Sequence, residues 1–77
     1  MKFRVLDVVV LDKDIAQLGL RSGDLGTVVE VHATAALEVE FVAASGRTQA
    51  LVTLAPGDVR PVADNDIVAV RRLPRSA

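Results

Sequence analysis

Four stretches of this chain are built from β-branched and other apolar residues, each cut off by glycine, proline, alanine or charged residues. They are VLDVVVL (Val5–Leu11), GTVVEVH (Gly26–His32), LEVEFV (Leu37–Val42) and RTQALVTL (Arg47–Leu54). Runs this short are poor helices, and their residue types suit a pleated, half-buried backbone, so they predict strands. A chain of 77 residues has room for one domain, 1–77, and at that size only ~60% of the unfolded surface is buried on folding. No cysteine is present to staple it. With 51% apolar residues, stability must come from a compact core, a homo-oligomer or a covered partner surface.

The first run is apolar on both faces apart from Asp7, as expected of a strand covered on both sides. A long connection follows, DKDIAQLGLRSGD. In so small a domain it needs anchors, and Ile15, Leu18 and Leu20 are the candidates. Asp14 to Leu18 suits a short helical turn, with Gly19 at the position after it where positive φ is often required. In the second run, alternation places Val29 and Val31 on one face and Val28, Glu30 and His32 on the other.

In the third run Leu37, Val39 and Phe41 share one face, with Glu38 and Glu40 on the other. A four-residue loop, Ala43 to Gly46, would set Val42 opposite Arg47. Counting outward pairs Phe41 with Thr48, Val39 with Ala50, and Leu37 with Val52, while Glu40 meets Gln49 and Glu38 meets Leu51. A slip of one residue would set apolar against polar faces, so this register is self-consistent. Leu51 and Val42 remain on the outer face.

Pro56, Gly57 and Asp58 favour a tight 3₁₀ turn. Val59 to Val62 then makes a short strand that Pro61 confines to an edge or an end, and Asp64 to Val70 can add one more. Residues 71–77, RRLPRSA, read as a flexible tail. The sum is an all-β fold: a small SH3-like, partly open barrel of five to six strands with a long first loop and a short 3₁₀ turn before the penultimate strand.

Catalytic and metal sets are hard to assemble. The chain has one histidine, His32, and no cysteine or tyrosine, too few ligands for a tetrahedral site and too few bases for a nucleophile triad. Neither a cofactor nor a metal is expected. GDLG, Gly23 to Gly26, lacks the length, lysine and hydroxyl of a phosphate loop; Asp24 is better suited to bonding the amides of its own turn. Glu38 and Glu40 stand on one strand face, where solvation accounts for them. The start, MKFRVLDVVVL, has two cations before an apolar run, but Asp7 and the following DKD do not suit a secretion signal. No apolar stretch approaches the ~20 residues that span a bilayer. These features point to the bacterial cytoplasm.

Nine basic residues oppose ten acidic ones, for a net charge of −1, whereas nucleic-acid binders carry a basic excess. G-D-x-G-x-V-x-x-V after a strand and loop nevertheless resembles the KOW motif of ribosomal and transcription-elongation barrels. That resemblance covers about the first third of the chain. Its usual cations are nearly absent, and Phe3 and Phe41 are the only aromatics. Nucleic acid would fall to Lys13, Arg21, Arg71, Arg72 and Arg75. The ordered set Gly19-Leu20, Gly23-Asp24-Leu25-Gly26-Thr27-Val28-Val29, Glu38-Val39-Glu40-Phe41, Gly46-Arg47-Thr48, Thr53-Leu54 and Asp58-Val59-Arg60-Pro61-Val62 resembles a family of short bacterial proteins designated a domain of unknown function, the 4926 family. The resemblance runs from about Leu6 to Val62. It implies a small β-barrel without established catalytic residues, and stand-alone members suited to an accessory, antitoxin-like or immunity-like role.

The expectation is therefore a non-enzymatic barrel that binds another protein. Its surface would be the outer hairpin face with Glu38, Glu40, Gln49 and Leu51, together with the long loop at Leu18, Leu20 and Arg21. The alternatives are weak RNA or ribosome association through the KOW-like loop and basic tail, and a structural homo-oligomer in which Ile67 to Val70 completes a sheet across a dimer.

Overall fold

The computed structural model describes residues 2–33 and 35–73. Five antiparallel strands form one open sheet: β1 (Val8–Leu11), β2 (Leu25–His32), β3 (Ala36–Val42), β4 (Thr48–Leu54) and β5 (Val59–Pro61). Their order is β4-β3-β2-β1-β5, which leaves β4 and β5 as the two edges. The all-β, partly open architecture expected from the runs is present, with five strands. The other regular elements among the described residues are 3₁₀ turns at Ala16–Leu18 and Pro56–Asp58.

The first strand is shorter than its apolar run. Asp7 ends it: its Oδ2 accepts from Arg4 N (2.9 Å), and its amide donates to Arg4 O (3.0 Å). Val5 and Leu6 are thereby diverted into a turn, with Leu6 at φ 77° and largely exposed. From Val9 onward the two-sided burial holds, because Val9, Val10 and Leu11 are all buried. In the long connection Leu20 is buried and Ile15 packs against the core, while Leu18 is exposed. Gly19 ends the first 3₁₀ turn at φ 70°, as its position required.

Strand β2 departs from simple alternation. It pairs with β1 through Leu25–Thr27 and with β3 from Thr27 to His32, with a bulge between Val28 and Glu30. The extra residue, Val29, leaves the ladder and becomes exposed. Val28 is fully buried and Val31 packs on the core from the same side. The expected grouping of Val28 with Glu30 and His32 is therefore corrected: a bulge re-aims every side chain beyond it.

The β3–β4 register is also corrected. Ala43 N donates to Arg47 O (2.9 Å), so the loop is one residue longer and Val42 faces Thr48. A bulge at Gln49 adds another step. Phe41 then faces Ala50, Val39 faces Val52, Leu37 faces Leu54, Glu40 faces Leu51 and Glu38 faces Thr53. Val42 is displaced by one residue and every pair beyond the bulge by two, which is the side-chain period of a strand, so both faces keep their character there.

The second 3₁₀ turn is closed by Asp58, whose Oδ2 accepts from Ala55 N (2.9 Å). It delivers β5 beside β1, Val59 opposite Leu11. Asp64 to Val70 does not add a sixth strand within the chain. After Pro61 the backbone reverses between Ala63 and Asp66, with Asp66 N donating to Ala63 O (3.1 Å), and leaves the sheet edge.

The core joins Phe3, Val9, Leu11, Leu20, Val28, Leu37, Val39, Phe41, Leu54 and Val59. Gly26 is where β2 meets the Phe41 ring. A β-carbon built there would lie 2.6 Å from Val39 Cγ1 and 2.9 Å from Phe41 Cε1. The second glycine of the Gly-Asp turn is thus required by packing. Gly26→Ala should lower the unfolding free energy by about 1–3 kcal/mol, the usual cost of overpacking. Gly57→Ala, which meets nothing within 4 Å, should stay within about 0.5 kcal/mol of the parent. Urea denaturation of the two variants measures the difference.

Candidate functional site

The outer face of the sheet is assembled from β2, β3 and β4. Two rows cross it: Thr27, Glu40 and Leu51, then Glu30, Glu38 and Thr53. Leu51 is 61% exposed in the centre of an edge strand, with the Glu40 carboxylate across from it and Glu38 one row along. Val42 (49%) and Val29 (37%) add apolar surface.

The carboxylates are held in place. Glu38 Oε2 accepts from Thr53 Oγ1 (2.7 Å) and lies 3.0 Å from His32 Nε2, which is also 3.3 Å from Glu30 Oε2. The Thr53 hydroxyl first, then His32, hold the Glu38 carboxyl below its ordinary value. Glu40 Oε2 accepts from Thr48 Oγ1 (2.5 Å). His32, the last residue of β2, thus tops an acidic row.

Gln49, the bulge residue, sends Nε2 to Leu18 O (3.1 Å). This bond connects the hairpin to the long loop, and so brings together the two parts of the expected surface. Leu18 and Arg21 are exposed there. Leu20 is corrected to a core residue: at 3% exposure its side chain is consumed by packing and is closed to a partner.

The candidate cations do not form one patch: Arg21 and Arg71 meet at the Asp24 turn, and Lys13 is paired elsewhere. Lys13 pairs with Asp58 (3.3 Å). Arg21 is exposed, and its amide donates to Asp24 Oδ2 (2.8 Å), so Asp24 bonds its own turn as expected. Arg71 lies far from Lys13 in sequence and is drawn into that same turn: Nε donates to Asp24 Oδ1 (2.9 Å), while Nη2 donates to Asp24 Oδ2 (2.6 Å) and Gly19 O (2.7 Å). A carboxylate already occupies the guanidinium that phosphate would need. Arg72 is exposed, and Arg75 lies outside the described residues.

Sequence reasoning missed this Arg71–Asp24 contact and a second bidentate pair, in which Arg60 Nη1 and Nη2 donate to Asp66 Oδ2 and Oδ1 (both 2.9 Å). Asp66 Oδ2 also accepts from Ala63 N (2.7 Å). Among the described residues no group of three His, Asp or Glu side chains is placed to hold a metal ion. No helix there is long and apolar enough to cross a membrane.

Arg60, and secondarily the Ala63 amide, hold the Asp66 carboxyl down to about 2. Arg71 likewise lowers Asp24, against the opposing effect of its partial burial. A carboxyl depressed on folding contributes stability that is complete above its unfolded value and lost as pH falls through the folded one. Thermal melting midpoints should therefore decline between pH 3.8 and about 2, and Asp66→Asn should flatten part of that decline. A variant that melts with the parent's full acid slope would remove Asp66 as a cause.

Neither a curated protein nor a solved structure matches the chain. The five strands, the Gly26 contact and the acidic hairpin face all fall within residues 5–61, the stretch matched by the family described as Domain of unknown function (DUF4926), and the chain belongs to that family.

Proposed function

We propose that this protein is a non-enzymatic module of the bacterial cytoplasm that binds another, basic protein, in the manner of an antitoxin, an immunity protein or an accessory subunit. One observation carries the reading: an exposed leucine on a free sheet edge, Leu51, faces Glu40 in a field that also holds Glu38 and Glu30. Carboxylates around an apolar centre steer a cationic partner and suppress wrong ones, while the desolvated centre supplies most of the affinity. The outer backbone edge of β4 adds hydrogen-bonding groups for a partner strand. Gln49 holds Leu18 at the border of the same surface, where Leu18 and the exposed Arg21 of the same loop complete the contact.

Tagged protein incubated with lysate of its own host, with and without nuclease, tests the reading. One stoichiometric protein should be retained through nuclease treatment and moderate salt. Glu38→Lys combined with Leu51→Asp should weaken that complex by roughly a hundredfold or more, because it reverses the steering charge and places a carboxylate at the apolar centre. Circular dichroism should stay that of the parent, since both side chains lie on the outer face. Unchanged affinity would remove this surface from the proposal. Ribosomal proteins or RNA that vanish with nuclease would replace the reading with nucleic-acid association.

A further inference from the structure

Residues 66–71 form a strap that the sheet does not absorb. The backbone runs from Asp66 to Leu73 without a turn or bend. It is tied down at one end by Asp66 on Arg60 and near the other by Arg71 on Asp24 and Gly19. Between these ties Ile67, Val68 and Val70 are 92%, 68% and 97% exposed. Neither alternate face of the strap is covered by the body. None of the amides of Ile67 to Val70 donates to a described residue's carbonyl. The strap also lies outside the residues that match the family. It therefore shows β-branched residues on a backbone without turn or bend, with ladder groups unpaired among the described residues, and it is fastened at both ends.

We infer that the strap pairs antiparallel with the strap of a second copy of this chain. Across a two-fold axis a residue and its copy lie on the same face of the ribbon, and directly opposed residues share a face too. Every symmetric register therefore sets one residue opposite itself. With Ala69 opposite Ala69 of the second copy, Val68 meets Val70 and Asp66 meets Arg72. This register joins Val68 to Val70 and carboxylate to guanidinium at once, and the guanidinium it sets beside Ile67, that of Arg71, is already held by Asp24. Moving the axis to Val68 would put Asp66 against Val70 and draw Arg72 onto Asp64, which lies in the turn rather than the extended run. Moving it to Val70 would set Arg72 against Val68. Charge complementarity selects the Ala69 register.

The ion-pair geometry leaves room for it. Asp66 Oδ2 accepts two hydrogen bonds and Oδ1 one, so Oδ1 keeps an acceptor position for Arg72 of the second copy. The two ties also reduce the ordering cost of pairing, because the strap is held at both ends before the second copy arrives. The acidic hairpin face takes no part, and the dimer leaves it available to its own partner.

The chain has no cysteine, which makes cross-linking a clean readout. Opposed residues in an antiparallel ladder have Cα atoms roughly 4.5–5.5 Å apart, within disulfide reach. Ala69→Cys under mild oxidation should therefore give a disulfide-linked dimer roughly tenfold or more faster than Leu51→Cys, which reports random encounter at the exposed β4 edge. Light scattering of the parent should approach the mass of two chains as concentration rises. Val68→Asp with Val70→Asp should raise the dissociation constant by roughly a hundredfold or more, since each would bury a carboxylate without a partner. Both positions are exposed in the single chain, so its circular dichroism should not change. Glu38→Lys with Leu51→Asp should leave the dimer intact, which keeps this inference separable from the hairpin reading. A mass that stays that of one chain, cross-linking at Leu51→Cys as fast as at Ala69→Cys, or a dimer indifferent to the valine substitutions would each overturn it.

Discussion

The close approach of β2 to β3 at Gly26 is the constraint on which the rest of the structure depends. β2 joins the two halves of the sheet, pairing with β1 through Leu25–Thr27 and with β3 from Thr27 onward, and it passes beside the Phe41 ring while its inner face seats Val28. A side chain at position 26 would lift β2 from Val39 and Phe41 together. The loss would spread, because in a chain this small the same ten buried residues form nearly the whole apolar interior. The bulge at Val29 belongs to the same requirement. β2 leaves β1 after Thr27, and the extra residue lets it bend while Val28 and Val31 both stay in the core.

With its apolar residues committed in this way, the sheet divides its polar surface between two uses. On the outer face, carboxylates are fixed by neutral donors and one histidine: Thr53 and His32 hold Glu38, and Thr48 holds Glu40. Their charge remains directed at solvent, where it can act on a partner. Elsewhere carboxylates meet guanidinium groups in bidentate pairs, Asp24 with Arg71 beside the long loop and Asp66 with Arg60 after β5. These charges cancel locally and act as fasteners. A near-neutral chain can thus present a one-signed face.

Much of this is legible in the sequence. Period-two alternation separated Leu37, Val39 and Phe41 from Glu38 and Glu40, and it placed Leu51 with the acidic residues. The Gly-Asp turn, the positive φ of Gly19 and the 3₁₀ turn at Pro56–Asp58 follow from local backbone preferences. What escaped was anything that depended on counting across an irregularity. Gln49 read as an ordinary partner of Glu40 because a bulge leaves no reliable mark in a single sequence, and its bond to Leu18 followed from that displacement. Val29 was placed on the wrong face for the same reason. Leu20 anchors the loop as read, and its burial in the core removes it from the partner surface to which it was also assigned.

The sequence by itself determined the class of fold, the apolar faces of β3 and β4 and the acidic character of the hairpin. These are properties of a few adjacent residues, and the backbone's own alternation enforces them. Only the tertiary structure decided which residues face one another, which cations are occupied and what the strap displays. Arg71 illustrates the division. In the sequence it is one of several terminal arginines, and nothing near it distinguishes it from Arg72. It becomes a fastener because β1, β2 and the reversal after Pro61 bring Asp24 and Gly19 within its reach, and proximity between residues so far apart along a chain is set by packing rather than by local preference.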